Sequence, residues 1–81
     1  TDVVDDANLP EATAKLARRL ADGPALAYST TKLLLTRELD ADLGSAIEME
    51  ATAQALLMKS QDHREFYAAW SDRRPPEWTG R

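Results

Sequence analysis

Residues 60–81 read SQDHREFYAAWSDRRPPEWTGR, and the fold turns on how this stretch changes character near Arg73. Ser60 suits a helix N-cap, because its hydroxyl can accept from a first-turn backbone N–H. The spacing predicts a helix from about Gln61 to Ser71 with His63, Phe66, Tyr67 and Trp70 on one face. Pro75 and Pro76 lack the N–H that a helix interior uses, so the chain must run extended from there. An ending that holds two prolines, a tryptophan, a glycine and three arginines is too specific for a frayed terminus.

Upstream, three more helices follow from apolar spacing and from stop signals. Leu9, Ala12, Leu16 and Leu20 recur at helical intervals, which predicts a helix over about 9–21. Asn8 is its expected cap, Pro10 sits in its first turn, and Gly23 and Pro24 end it. A second helix is expected from Pro24 to about Glu38, with Leu26, Ala27, Thr30, Leu33 and Leu34 on one stripe. Leu33, Leu34 and Leu35 together are wider than one stripe, which predicts contact on two sides. Asp40 is the expected cap of a third helix over about 41–59, whose stripe of Leu43, Ala46, Ile47, Ala53 and Leu57 includes Glu50 and Gln54. Val3 and Val4 form at most a strand fragment whose sheet would lie elsewhere. The expectation is an all-α fold of about four helices with an extended C-terminal tail, forming one domain over residues 1–81.

Composition narrows the function classes. Eighty-one residues, 43% hydrophobic and 30% charged, give one domain at the small end of what folds alone, and a compact monomer of this mass buries only roughly 60% of its unfolded surface. No cysteine and a single histidine leave no thiolate site and no expected metal site. A net charge of −4 argues against nucleic acid as a partner. No apolar run approaches the roughly 18 residues of a membrane span, so no membrane partner is expected and the chain reads as cytoplasmic.

The residues carry no phosphate loop, nucleophile elbow or zinc-protease motif, and no catalytic residue is expected here. His63 reads as an ordinary first-turn residue. Glu50, a carboxylate on an apolar stripe, either pairs with a base such as Lys15, Lys32 or Arg64 or carries a raised pKa. Phe66, Tyr67 and Trp70 read first as core. Trp70 lies one turn before Arg73 and Arg74, an arrangement that can stack a flat ring while a guanidinium holds a phosphate.

In order and content these segments resemble the C-terminal helical region of the crotonase superfamily, the enoyl-CoA hydratases and isomerases. The resemblance covers TDVV, LPEATAKLARRLADGPALAYSTTKLLL and the whole of residues 39–81. It rests on Lys32, on the spacing of Ser60, Asp62 and Glu65, and on the closing run of basic residue, proline, aromatic and glycine. Phe66 departs from it, since a glycine commonly follows that glutamate. The resemblance implies that a larger N-terminal core, absent from this chain, holds the catalytic carboxylates and the oxyanion hole. It implies that this region covers the active site and joins subunits into trimers or hexamers. It further implies an acyl-CoA thioester as substrate of the parent, with no tightly bound cofactor. Trp70 and Arg73 match positions that line the adenine and phosphate end of CoA, whereas a further aromatic on the preceding helix is replaced by Gln54. The reading that competes with this one is a stand-alone helical protein-interaction module.

Overall fold

The computed structural model describes residues 2–81. After an extended start and one 3₁₀ turn, Asp6–Asn8, come four helices: α1 (Leu9–Ala21), α2 (Ala25–Glu38), α3 (Leu43–Leu57) and α4 (Gln61–Asp72). The last residues, from Pro75 on, are extended, and no strand forms among the described residues. Val3 and Val4 accordingly pair with nothing, and Val3 is fully exposed.

One expected cap lacks its side-chain bond and another is in a different place. Asn8 does not cap α1 with its side chain, because it already belongs to the 3₁₀ turn, where its N–H donates to Asp5 O at 2.8 Å. Asp42 rather than Asp40 caps α3. Its carboxylate accepts from Ser45 N at 3.1 Å and from Ser45 Oγ at 2.6 Å, and these bonds hold its pKa below the ordinary value. The turn at residues 39–40 runs on through Ala41 to an extended Asp42, a start that the local sequence also permits, since both aspartates are competent caps. Ser60 caps α4 as expected, accepting from His63 N at 3.0 Å. At the α1–α2 junction, a Cβ on Gly23 would stand 2.4 Å from the Tyr28 ring, so the close approach of that ring requires glycine there.

The packing is open. The main helix contact is between α2 and α3, and the molecule is a slab of 45 × 38 × 17 Å. Its radius of gyration is 16.0 Å, against about 12 Å for a compact domain of this length. The accessible surface is 7095 Å², whereas a compact monomer of this mass would expose about 4,900 Å². Roughly 2,200 Å² of surface is therefore in excess of what a self-contained globule would show. Ala69 is the sole buried apolar residue among those described.

The excess falls on particular side chains. Leu33 and Leu34 line a groove between α2 and α3 with Leu26, Met49, Ala53 and Leu57. Leu35 points to a second hollow with Leu20, Tyr28 and Leu39. The two-sided contact expected of the triple leucine thus has two separate surfaces. Phe66, Tyr67 and Trp70 are not core, being 52%, 68% and 70% exposed, because α4 turns its Asp62 and Ala69 side inward instead. Nor does Glu50 meet Lys15, Lys32 or Arg64. It is exposed, and its neighbour is another carboxylate, Glu38, whose pKa is raised by desolvation and then by Glu50.

Candidate functional site

The chemistry of the molecule gathers on α4 and the tail that folds back along it. Asp62 and Glu65 are three residues apart and so share a face of α4. The tail lies on that face. Asp62, 5% exposed, accepts from Thr79 N at 2.7 Å, Thr79 Oγ1 at 2.9 Å and Gly80 N at 2.9 Å. Its own N–H donates to Arg81 O at 3.0 Å. The Thr79 amide is the main reason that its pKa lies below the ordinary carboxylate value, opposed by desolvation. Gly80 closes the loop at φ 74°, a left-handed conformation that glycine adopts without a Cβ clash.

Glu65 makes the second clamp. Its two oxygens accept from Arg74 Nη1 at 2.6 Å and Nη2 at 3.1 Å, a bidentate pair, and Oε1 also accepts from Glu77 N at 2.8 Å. The Arg74 bonds, with that of the Glu77 amide, bring its pKa down to about 2. Between the clamps, Trp78 stacks on Phe66 with centroids 6.5 Å apart and planes 12° from parallel. Pro24, Tyr28, Leu57 and Met58 complete the cavity in which the two rings meet. The spacing of Ser60, Asp62 and Glu65 thus has a physical meaning as one cap and two tail clamps. Trp78 is held by its own chain, and the departure at Phe66 supplies its stacking partner.

Trp70 and Arg73 stand at the other end of α4. Trp70 leans on Tyr67 at 6.4 Å with a tilt of 42° and leaves most of its surface open. Arg73 is the left-handed C-cap of α4, with φ 55° and ψ 40°. Its N–H donates to Trp70 O at 3.3 Å while Arg74 N donates to Ala69 O at 3.0 Å, the paired closure of a Schellman motif. Glycine normally fills that position, so an arginine there bears a backbone cost of about 1 kcal/mol. Arg74, committed to Glu65, fixes the chain immediately after it. Trp70, Ser71, Arg73 and Arg74 surround one shallow hollow, so the two expected site residues are brought together. No side-chain ion pair or hydrogen bond engages Arg73 among the described residues. Gln54 lies away from this hollow, on the wall of the Trp78 cavity and of a depression between α2 and α3. No group of three or more metal-ligating side chains occurs among the described residues, and no helix is long and apolar enough to cross a membrane.

Reasoning from sequence missed the roles of Asp62, Arg74 and Thr79. Their signal was present as a carboxylate pair at helical spacing followed by a Pro-Pro tail, but nothing local says that such a tail folds back.

No family model matches the sequence. The chain is 32% identical over 79 residues to the 1,2-epoxyphenylacetyl-CoA isomerase of Escherichia coli K12, a match covering 98% of this chain and 30% of that protein. Among solved structures, a protein from Streptomyces coelicolor A3(2) assigned as an enoyl-CoA hydratase superposes with a TM-score of 0.95 at 52% identity, over 100% of this chain and 30% of that one. An enoyl-CoA hydratase from Geobacillus kaustophilus HTA426 superposes with a TM-score of 0.89 at 34% identity, over 98% of this chain and 30% of that one. The chain thus spans about 30% of the length of these relatives. Both its sequence and its helical architecture identify it, over its whole length, as homologous to the C-terminal helical region of enoyl-CoA hydratase/isomerase proteins of the crotonase superfamily.

Proposed function

We propose that this chain serves as the C-terminal part of an enoyl-CoA hydratase/isomerase-like enzyme, supplying the active-site cover and subunit contacts to an N-terminal catalytic core. The observation that carries the reading is the superposition of all four helices and the tail on one end of a chain three times as long. The open packing supports it, because the surplus surface is of the size that a core and neighbouring subunits would cover. The leucine-lined groove between α2 and α3 suits a homo-oligomer contact, as in a trimer or hexamer.

In this reading the chain alone catalyses nothing, and a CoA thioester is the substrate of the whole enzyme, with no tightly bound cofactor. Trp70 offers an exposed ring for the adenine, and Arg73 an unpaired guanidinium for an attached phosphate. The strained backbone of Arg73 fits a residue held in place for binding rather than for stability. Enoyl-CoA turnover by the full-length enzyme, set beside the 81-residue chain, tests the reading. The full-length protein is expected to be active and the chain inactive. In the full-length enzyme Arg73→Ala is expected to weaken CoA binding about tenfold, read by calorimetry. Unchanged affinity would remove Arg73 from the site.

A further inference from the structure

Arg73 and Arg74 both line the hollow at the end of α4, yet they are not equivalent. Arg74 gives its fork to Glu65, donates from Nη1 to Pro75 O at 3.2 Å, and holds Nε 3.7 Å from Asp72 Oδ2. The Arg73 guanidinium has no such partner among the described residues. Its backbone is the unusual one. A residue with a Cβ persists in the left-handed region only where its surroundings over-determine it, so Arg73 at φ 55° and ψ 40° must be held from outside. From the N-terminal side the helix end holds it, through Arg73 N and Arg74 N. From the C-terminal side the hold is Glu65. Its carboxylate grips the chain twice, at the Arg74 side chain and at the Glu77 amide, 2.8 Å from Oε1. Between those grips lie Pro75 and Pro76, whose rings fix φ, while the conformation of Arg74 is itself narrowed by the proline that follows it. A stiff segment pinned at both ends by one carboxylate leaves Arg73 little room to relax.

We infer, resting on the function proposed above, that Glu65 is a positioning residue, which acts through Arg74 to aim the Arg73 guanidinium at the phosphate end of a CoA thioester. Glu65 itself does not touch the ligand in this account, because both of its oxygens are already taken by the chain. An arginine on a loose backbone would have to be ordered when the phosphate arrives, and that ordering weakens binding. Fixing the backbone beneath the side chain removes part of the cost beforehand. The same fork keeps Arg74 occupied, so the hollow presents Arg73 to an anion beside the open Trp70 ring. Stability alone would be served by a glycine at position 73, which closes the helix without a Cβ clash.

The test is a double-mutant cycle in the full-length enzyme, with Glu65→Gln, Arg73→Ala and the pair, reading CoA affinity by calorimetry. Glu65→Gln keeps the shape and an amide acceptor but loses the charged fork. It is expected to weaken CoA binding about fivefold when Arg73 is present, and by less than about twofold when Arg73 is already alanine. Arg74→Lys keeps the charge without the fork. It is expected to show the same dependence on Arg73, and it carries the test if Glu65→Gln does not fold. Equal weakening in both backgrounds overturns the inference, because a merely structural clamp acts whether or not Arg73 is there. No weakening in either background overturns it too. Enoyl-CoA turnover by the full-length wild type keeps the two ideas apart. Turnover with an additive cycle sinks only the positioning role, whereas absence of both turnover and CoA binding sinks the functional reading and the positioning role with it.

Discussion

The two halves of this molecule are finished to different degrees. Along α4 the two carboxylates that clamp the returning tail have found their partners within the chain. Asp62 takes three hydrogen bonds, Glu65 takes an arginine fork and an amide, and Trp78 lies on Phe66. Between α2 and α3 the reverse holds, with leucines open to water and two carboxylates facing each other. A region that satisfies its own groups is stabilised from within, whereas exposed apolar surface and unpaired polar groups carry a cost that only burial elsewhere would relieve. In the reading proposed above, the contrast separates what the chain does for its own stability from what it would offer to a partner.

The severest test of the self-sufficient half is Trp78→Ala. The substitution removes the stack and half-buried indole contacts with Pro24 and Met58, and the expected loss is about 2 kcal/mol. Hydrogen exchange should localise it, with faster exchange of the Thr79 and Gly80 amides and little change in α1. A loss spread evenly over all four helices would mean that the clasp is not a separate unit.

How much of this contrast was legible beforehand depends on the range of the signal. The helices came through because apolar spacing, Ser60, Gly23 and the prolines act within a turn or two of the backbone. Helix α1 runs Leu9–Ala21 as its periodicity requires. The α3 cap was assigned to Asp40 instead of Asp42, because two competent caps two residues apart cannot be ranked without the helix axis. What burial the aromatics of α4 would have was not legible at all. Stripe arguments assume that an apolar face meets its partner in the same chain, and Tyr67 and Trp70 do not. For the candidate site, adjacency of Trp70 and Arg73 was readable from helical spacing. The left-handed backbone of Arg73 was not, since it arises from the Schellman closure and the Arg74–Glu65 pair.

Acid should move the two halves in opposite directions. Glu65 has a pKa of about 2 in the fold and an ordinary value of 4.5. The unfolded chain therefore takes up its proton first, and the stability Glu65 contributes is full above pH 4.5 and lost as pH falls toward 2. Glu38 is shifted upward, so its contribution is full below the ordinary value of 4.5 and lost as pH rises through its folded value. Between pH 7 and pH 3 the tail amides should lose protection relative to those around Glu38 and Glu50. In Glu65→Gln the acid-side loss should become shallower. Equal loss in both halves would show that acid melts one cooperative unit.

Arg73→Gly sets the smallest effect against the sharpest distinction between stability and binding. Arginine occupies a left-handed position where glycine has no Cβ clash, and Arg73 N and Arg74 N close the helix through backbone bonds that glycine preserves. Relief of that strain favours the fold by about 1 kcal/mol, partly offset by the greater freedom of glycine in the unfolded chain. Thermal unfolding of the chain should therefore show a small gain or near neutrality. CoA affinity of the full-length enzyme should fall as it does for Arg73→Ala, because the guanidinium is gone in both. A residue kept only for structure would give the opposite pair, a stability loss with unchanged affinity. A gain in stability together with a loss of affinity would mean that the left-handed arginine is retained at a structural cost for what its side chain binds.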